Sequence, residues 1–302
     1  MSGIITTGSK PRLLLPGITE LFGMNYKQLN AIHPELYEKK ASQRNYEEAV
    51  QLVGTGVAEE KGEGAAISVD SYKQGYTRLT QHKVWAKKMR ITMEAFEDDL
   101  YLKQAQMISK SLAESLFHAK EINAAAIFNN ATSTSAPYVG ADGKALLASD
   151  HPTGSGGTFS NIVTSDLSEL ALEQAVINIY GFVGSNGLRM LAQPKCLLIP
   201  RNSIHIAHRI LKSDLRSGTA DNDVNALRDM GAIPKIIPWQ FLTDSDSWFV
   251  LTNVPGLCYY ERMGLTPHTH QDNDTLDQIY MMTERYSFDH YDPRVVYGSM
   301  GA

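Results

Sequence analysis

The chain has 302 residues, 43% hydrophobic and 20% charged, enough apolar content for one large core or two ordinary ones. Its formal net charge of −5 argues against wrapping nucleic acid through the bulk surface, because phosphate binding needs clustered Lys and Arg. Cys196 and Cys258 each lie in an apolar run without a Cys-x-x-Cys partner, so buried thiols are expected, and no 18-residue apolar run or signal-like start occurs. The expectation is a soluble product of a reducing compartment.

Residues 1–45 scatter Pro11, Pro16, Gly17, Gly23 and Pro34 among small apolar clusters such as Leu13, Leu14 and Leu15. That pattern predicts an extended arm with a short helix, which must lie on something else to bury its leucines. Residues 46–91 then change character. Val50 to Val53 leads into Gly54 and Gly56, the charged run Glu59, Glu60, Lys61, Glu63, and a return through Tyr72, Tyr76, Leu79, Val84 and Trp85. Two extended segments around a glycine-rich tip predict a long β-hairpin. It holds too little apolar surface to stand alone, so it packs either on its own domain or on a neighbour. The charge run is most simply a solvated tip, and more sharply a contact with another subunit.

Residues 92–129 predict one long helix, since no glycine or proline occurs between Gly75 and Pro137. Met93, Phe96, Leu100, Met107, Ile108, Leu112, Leu116, Ala119, Ile122 and Ala126 are spaced for one apolar face. Asp99, Lys103, Gln106, Lys110, Glu114 and Glu121 are expected opposite it. The element would be roughly 55 Å long, a beam on which the remaining chain is hung. Asn129 and Asn130 supply the stop.

Asp142 and Gly143 signal a turn, and residues 154–157 a glycine-rich loop. From residue 166 a second unit begins. Ser168 is the expected N-cap of a helix reaching Tyr180, with Leu167 and Leu172 as its hydrophobic staple. Segments 195–200, 233–237, 248–252 and 257–261 predict strands, and 203–212 a helix, giving a compact α/β unit. Residues 279–297 predict strands that return to the long helix, which makes the second unit an insertion.

Chemistry is sparse. Asp150 and His151 near Ser149 and Ser155 suggest a hydrolase, but there is no Gly-x-Ser-x-Gly elbow, and a local turn closed by an Asp side chain is preferred. His205 and His208 lie one helical turn apart, and His268, His270, Asp272 and Asp274 crowd a polar loop. Either group has metal-ligand spacing, though solvated polar side chains are the default and no metal or cofactor is assigned.

The order of parts resembles the major capsid protein of tailed bacteriophages, with the α+β fold named after the Hong Kong ninety-seven phage. The stretches that carry the resemblance are Lys61 to Gly64 leading to Val69, Asp70 and Tyr76; Ile91 and Thr92 with Glu97, Asp98 and Asp99; and Ala148 to Pro152. Pro194 to Pro200, Asn225 to Leu227, Leu242 to Asp244 with Trp248 and Phe249, and residues 285–298 continue it. The resemblance implies an N-terminal arm (1–45), an extended loop (46–91) and a peripheral domain with its spine helix (92–165). An axial domain (166–269) and return strands (270–302) follow. It implies inter-subunit contacts at Glu59, Glu60, Lys61, Glu63, Tyr72 and Tyr76, and a spine core face of Phe96, Leu100, Ile108, Leu112 and Leu116. Asp221, Asn222 and Asp223 would form a loop near a symmetry axis. The implied role is structural, not enzymatic: hexamers and pentamers closing an icosahedral virion shell round double-stranded DNA, without sequence-specific binding and without a membrane, assembled in the host cytoplasm. Because no scaffold-length leader precedes the arm, a separate scaffolding protein is expected, with a portal and, in some relatives, a decoration protein. An encapsulin-like compartment shell is the alternative within the same fold, and the Asp150/His151 hydrolase the alternative outside it.

Overall fold

The structure is a computed structural model that describes residues 29–64, 66–70, 73–94, 101–153, 156–215 and 224–301, with the side chains of 101–106 and 108 left out. The chain divides into two compact units. One comprises Met1–Glu47, Gln81–Ala124 and Tyr259–Ser287, and the other Glu48–Thr80, Ala125–Cys258 and Phe288–Ala302.

The first unit is built on a four-stranded sheet in the order β1-β10-β11-β4. Its strands are β1 Glu38–Ala41, β4 Lys83–Ile91, β10 Leu257–Gln271 and β11 Gln278–His290. β4 pairs antiparallel with β11, Trp85 opposite Glu284 and Lys83 opposite Tyr286. Exposed Lys83, Lys87 and Lys88 blunt this edge strand. The return segment through Val84 and Trp85 was expected in the hairpin; it belongs to this sheet instead, where the Trp85 ring stacks on Tyr286 at 5.9 Å.

The long helix, α2, is described over Tyr101–Asn129 and ends where the asparagines were expected to stop it. Leu112, Ala113 and Leu116 pack with Met282, Met89 and Leu265. The buried stripe is not the one hydrophobicity alone predicts. Met107 and Ile122 are 72% and 55% exposed, while Lys120 and Glu121, one of them assigned to the wet face, are buried. Both charges have partners that compensate their desolvation. Lys120 Nζ lies 2.6 Å from the Glu284 carboxylate, over the Tyr286 ring. Glu121 Oε1 accepts from His33 Nδ1 at 2.6 Å and from the Ile32 and His33 amides. It thereby caps the single-turn helix α1, His33–Leu36, at the start of the described arm.

In the second unit β7 Pro194–Ile199, β8 Ile236–Pro238, β9 Trp248–Thr252 and β12 Val296–Ser299 form a sheet in the order β12-β9-β7-β8. Closing residues 296–299 were expected on the long helix. They pair antiparallel with β9 instead, because Tyr297 points into this unit's core. One face of the sheet carries α3 Glu169–Tyr180, α4 Ile204–Lys212 and the short α5 Ala226–Asp229. Leu172, Ala175, Ile179, Ala207, Leu211 and Leu227 meet Leu197, Ile199, Trp248 and Val250 there. On the opposite face Phe128, from the end of α2, packs edge-on against Phe249 at 5.2 Å and Trp239 at 5.9 Å. Ser168 caps α3, its side chain accepting from the Ala171 amide at 3.2 Å, and both staple leucines are buried. Gly298 is held between β9 and the 161–163 segment; a Cβ there would stand 2.5 Å from the Trp248 carbonyl oxygen, so no other residue fits.

Candidate assembly surface

β2 Tyr46–Val53 and β3 Lys73–Gln81 form a two-stranded ribbon outside both sheets. No residue of either strand is buried. Alternation along β2 puts Tyr46, Glu48, Val50 and Leu52 in solvent. Leu79 on β3, and Val57, Ile67 and Val69 between the strands, add apolar surface, Val69 being 96% exposed. An isolated ribbon of this kind is marginal in water. Gly75 lets the strands approach, since a Cβ would meet Gln51 at about 3.0 Å.

The ribbon is fastened within the second unit near its root and again near its far end. Arg78 donates to the Asp289 carboxylate, to the Val139 carbonyl and, at 2.7 Å, to the Pro137 carbonyl. Thr80 donates to the other oxygen of Asp289. Towards its far end Gln51 reaches Ser185 at 2.8 Å and Asn186 donates to the Thr55 carbonyl at 2.9 Å, and within the tip Asp70 accepts from the Gly56 amide at 2.6 Å. Burial pushes the Asp289 carboxyl up, and Arg78 opposes that shift.

Of the residues expected at subunit contacts, Glu59, Glu60, Lys61 and Glu63 are exposed between the strands, and Tyr76 on β3 is 39% exposed. Leu112 and Leu116 are core residues of α2. Tyr72, Phe96, Leu100, the Ile108 side chain, and Asp221, Asn222 and Asp223 lie outside the described residues.

Asp150 and His151 do not form a pair. Asp150 binds Lys144 at the surface, whereas His151 is fully buried and stacked on Phe159. Its Nδ1 faces Asp142 Oδ2 at 2.6 Å and its Nε2 faces Asn161 Oδ1 at 3.1 Å. The Asn161 amide is oriented by donating to the Leu146, Pro293 and Val296 carbonyls and accepting from the Ala148 amide. Both ring nitrogens are therefore engaged inside the fold, and the ring presents no exposed nitrogen to a nucleophile. Burial alone would raise the Asp142 carboxyl, but hydrogen bonds from His151 and the Lys144 amide hold it below its ordinary value. The turn at this place is closed by Asp142, not Asp150. His268 and His270 sit on strand β10, not in a loop, and His268 Nε2 pairs with Thr283 at 2.9 Å. Among the described residues no three His, Cys, Asp or Glu gather as metal ligands, and no helix is long and apolar enough to cross a membrane.

No protein-family model and no curated protein matches the chain. Solved structures do. The capsid of cyanophage P-SCSP1u aligns with a TM-score of 0.59 at 12% identity, covering 91% of this chain and 90% of that one. The capsid of a native GTA particle aligns at 0.54 and 12%, covering 90% of each. A Microbacterium phage Oxtober96 chain aligns at 0.53 and 8%, covering 91% and 92%. The chain has the Hong Kong ninety-seven capsid fold.

In this capsid fold the polar residues that tie distant segments together escaped the sequence reasoning. Arg78, Asp289, Asn161 and Glu284 lie in segments with no chemical motif, and for Arg78 alone the partners are 59 to 211 positions away. One signal was available. Lys120 follows Leu112 and Leu116 at successive i+4 steps, in phase with the buried stripe, so a charge there needed an internal partner.

Proposed function

We propose that the chain is the major capsid protein of a tailed phage, assembling through pentamers and hexamers into an icosahedral shell round double-stranded DNA. The observation that carries this is the β2–β3 ribbon: polar ties to its own unit but no buried residue, and Val50, Leu52, Val57, Ile67, Val69 and Leu79 in solvent, in a chain with a capsid fold. Each Å² of that apolar surface left wet forfeits about 25 cal/mol, which a neighbouring copy recovers by covering it. On this proposal residues 46–81 are the extended loop laid on an adjacent subunit, and Glu59, Glu60, Lys61, Glu63, Tyr72 and Tyr76 touch that neighbour. α2 is the spine, and the unit around β12-β9-β7-β8 is the axial domain. Its loop at Asp221, Asn222 and Asp223 approaches the symmetry axis. A moderately negative surface suits a container that must not grip its DNA.

Scaffolding and portal proteins are the expected companions, a decoration protein an optional one, and the virion the expected location. Multi-angle light scattering of the expressed chain, with and without a co-expressed scaffolding protein, tests the proposal. Shell-sized particles in at least one sample are the expected result. A monomer in both contradicts it.

A further inference from the structure

α3 and α4 lie on the same face of the second unit's sheet but over opposite edges. Asn178 of α3 donates to the Tyr297 hydroxyl on β12 at 2.8 Å. α4 lies in the crossover from β7 to its parallel neighbour β8. In the order β12-β9-β7-β8 those edges are three strand spacings, about 14 Å, apart.

Their solvent sides are of unlike chemistry. α3 shows Leu170, Ile177 and Tyr180, 70%, 63% and 47% exposed, with Glu173 and Gln174 between them at helical spacing. It contains no Lys or Arg. Its inward face already supplies Ala171, Leu172, Ala175, Val176 and Ile179 to the core, so the exposed area of the outer apolar residues is left uncovered by this subunit's own described residues. α4 shows His205, Ile206, His208, Arg209 and Lys212, contains no Asp or Glu, and is preceded by exposed Arg201. Among the described residues Glu173, Arg209 and Lys212 make no ion pair.

Neither face complements itself. Two α3 faces would bring Glu173 towards its own copy, and two α4 faces would oppose their cations. An α3 face does complement an α4 face. Arg209 and Lys212 can pair with Glu173, lay their aliphatic stems along Leu170 and Ile177, and set a guanidinium over Tyr180. Different patches at opposite edges make a head-to-tail contact, which repeats until it closes as a ring.

We propose that α3 of one copy docks on α4 of the next copy, and that this contact, repeated round the ring, builds the capsomer. The partner is a second copy of this chain, and the proposal rests on the shell-forming function above.

Charge reversal tests it in the full chain under conditions where the parent forms shells. E173R and R209E/K212E are each expected to reduce the yield of shells, counted by electron microscopy, at least about tenfold, and the combined E173R/R209E/K212E chain to restore most of it. Circular dichroism melting of the unassembled chains separates assembly from folding. Should a reversal unfold the chain, E173Q and R209Q/K212Q take its place, read as the salt dependence of assembly rate. A flattened dependence supports the docking, and an unchanged one overturns it. Parent-like assembly of both reversed chains, or a combined chain no better than the worse of the two, also overturns the docking while leaving the shell function standing. A parent chain that never forms shells defeats the function itself.

Discussion

His290 is 2% exposed, and neither ring nitrogen has a hydrogen-bond partner among the described residues. Burial, reinforced by the nearby Arg78 cation, pulls its pKa from the ordinary 6.5 down to about 3. The folded chain therefore holds this imidazole neutral, while the unfolded chain binds a proton below pH 6.5. More protons on the unfolded side mean that stability rises with pH across that window. His290 thus contributes fully above pH 6.5, and its contribution is lost as pH falls towards 3. Urea unfolding of the unassembled protein between pH 7 and about 4 checks this. The midpoint should fall with pH in the parent and fall less in H290Q; parallel slopes would contradict it. Glu284 shifts the opposite way. Its carboxyl is pushed up by burial, against the pull of Lys120, so acidification relieves that cost and the two variants must be compared at each pH.

At the scale of elements, α1 is held by one carboxylate. Glu121 receives three hydrogen bonds from Ile32 and His33, and the Tyr37 hydroxyl donates to the Ala124 carbonyl at 2.7 Å beside it. Removing the acceptor leaves buried donors unsatisfied, at about 1–3 kcal/mol. E121A should therefore raise amide exchange at residues 32–37 by a factor of ten or so while leaving the amides of β9 protected. Unaltered exchange at 32–37 would show that the arm is held by something else.

Elements with a local signature were legible in the sequence. α3 has a capping serine and a leucine staple, and β9, five consecutive buried residues, stands where its apolar run placed it. Pairing partners were not legible. β4 is mostly exposed, which suits a hairpin or a sheet edge equally, and only the distant β11 decides between them. The phase of α2 failed for a related reason. Lys120 and Glu121 are buried by partners at 284 and 33, and no helical periodicity reports such partners.

For the whole molecule, the capsid fold was legible from the order of its parts, whereas the second unit's claim on β12 was not, since Val296 and Tyr297 would suit either sheet. Apolar surface remains uncovered: a ribbon without a buried residue and a helix with three large apolar side chains in solvent. Both are explained together if the lowest free energy belongs to a closed assembly. Cryo-electron microscopy of particles formed by the expressed chain measures this most directly. The account predicts a closed shell in which Val50, Leu52 and Leu79 of each ribbon lie against an adjacent subunit. Shells in which Val50, Leu52 and Leu79 stay in solvent, or protein that never closes into shells, would contradict it.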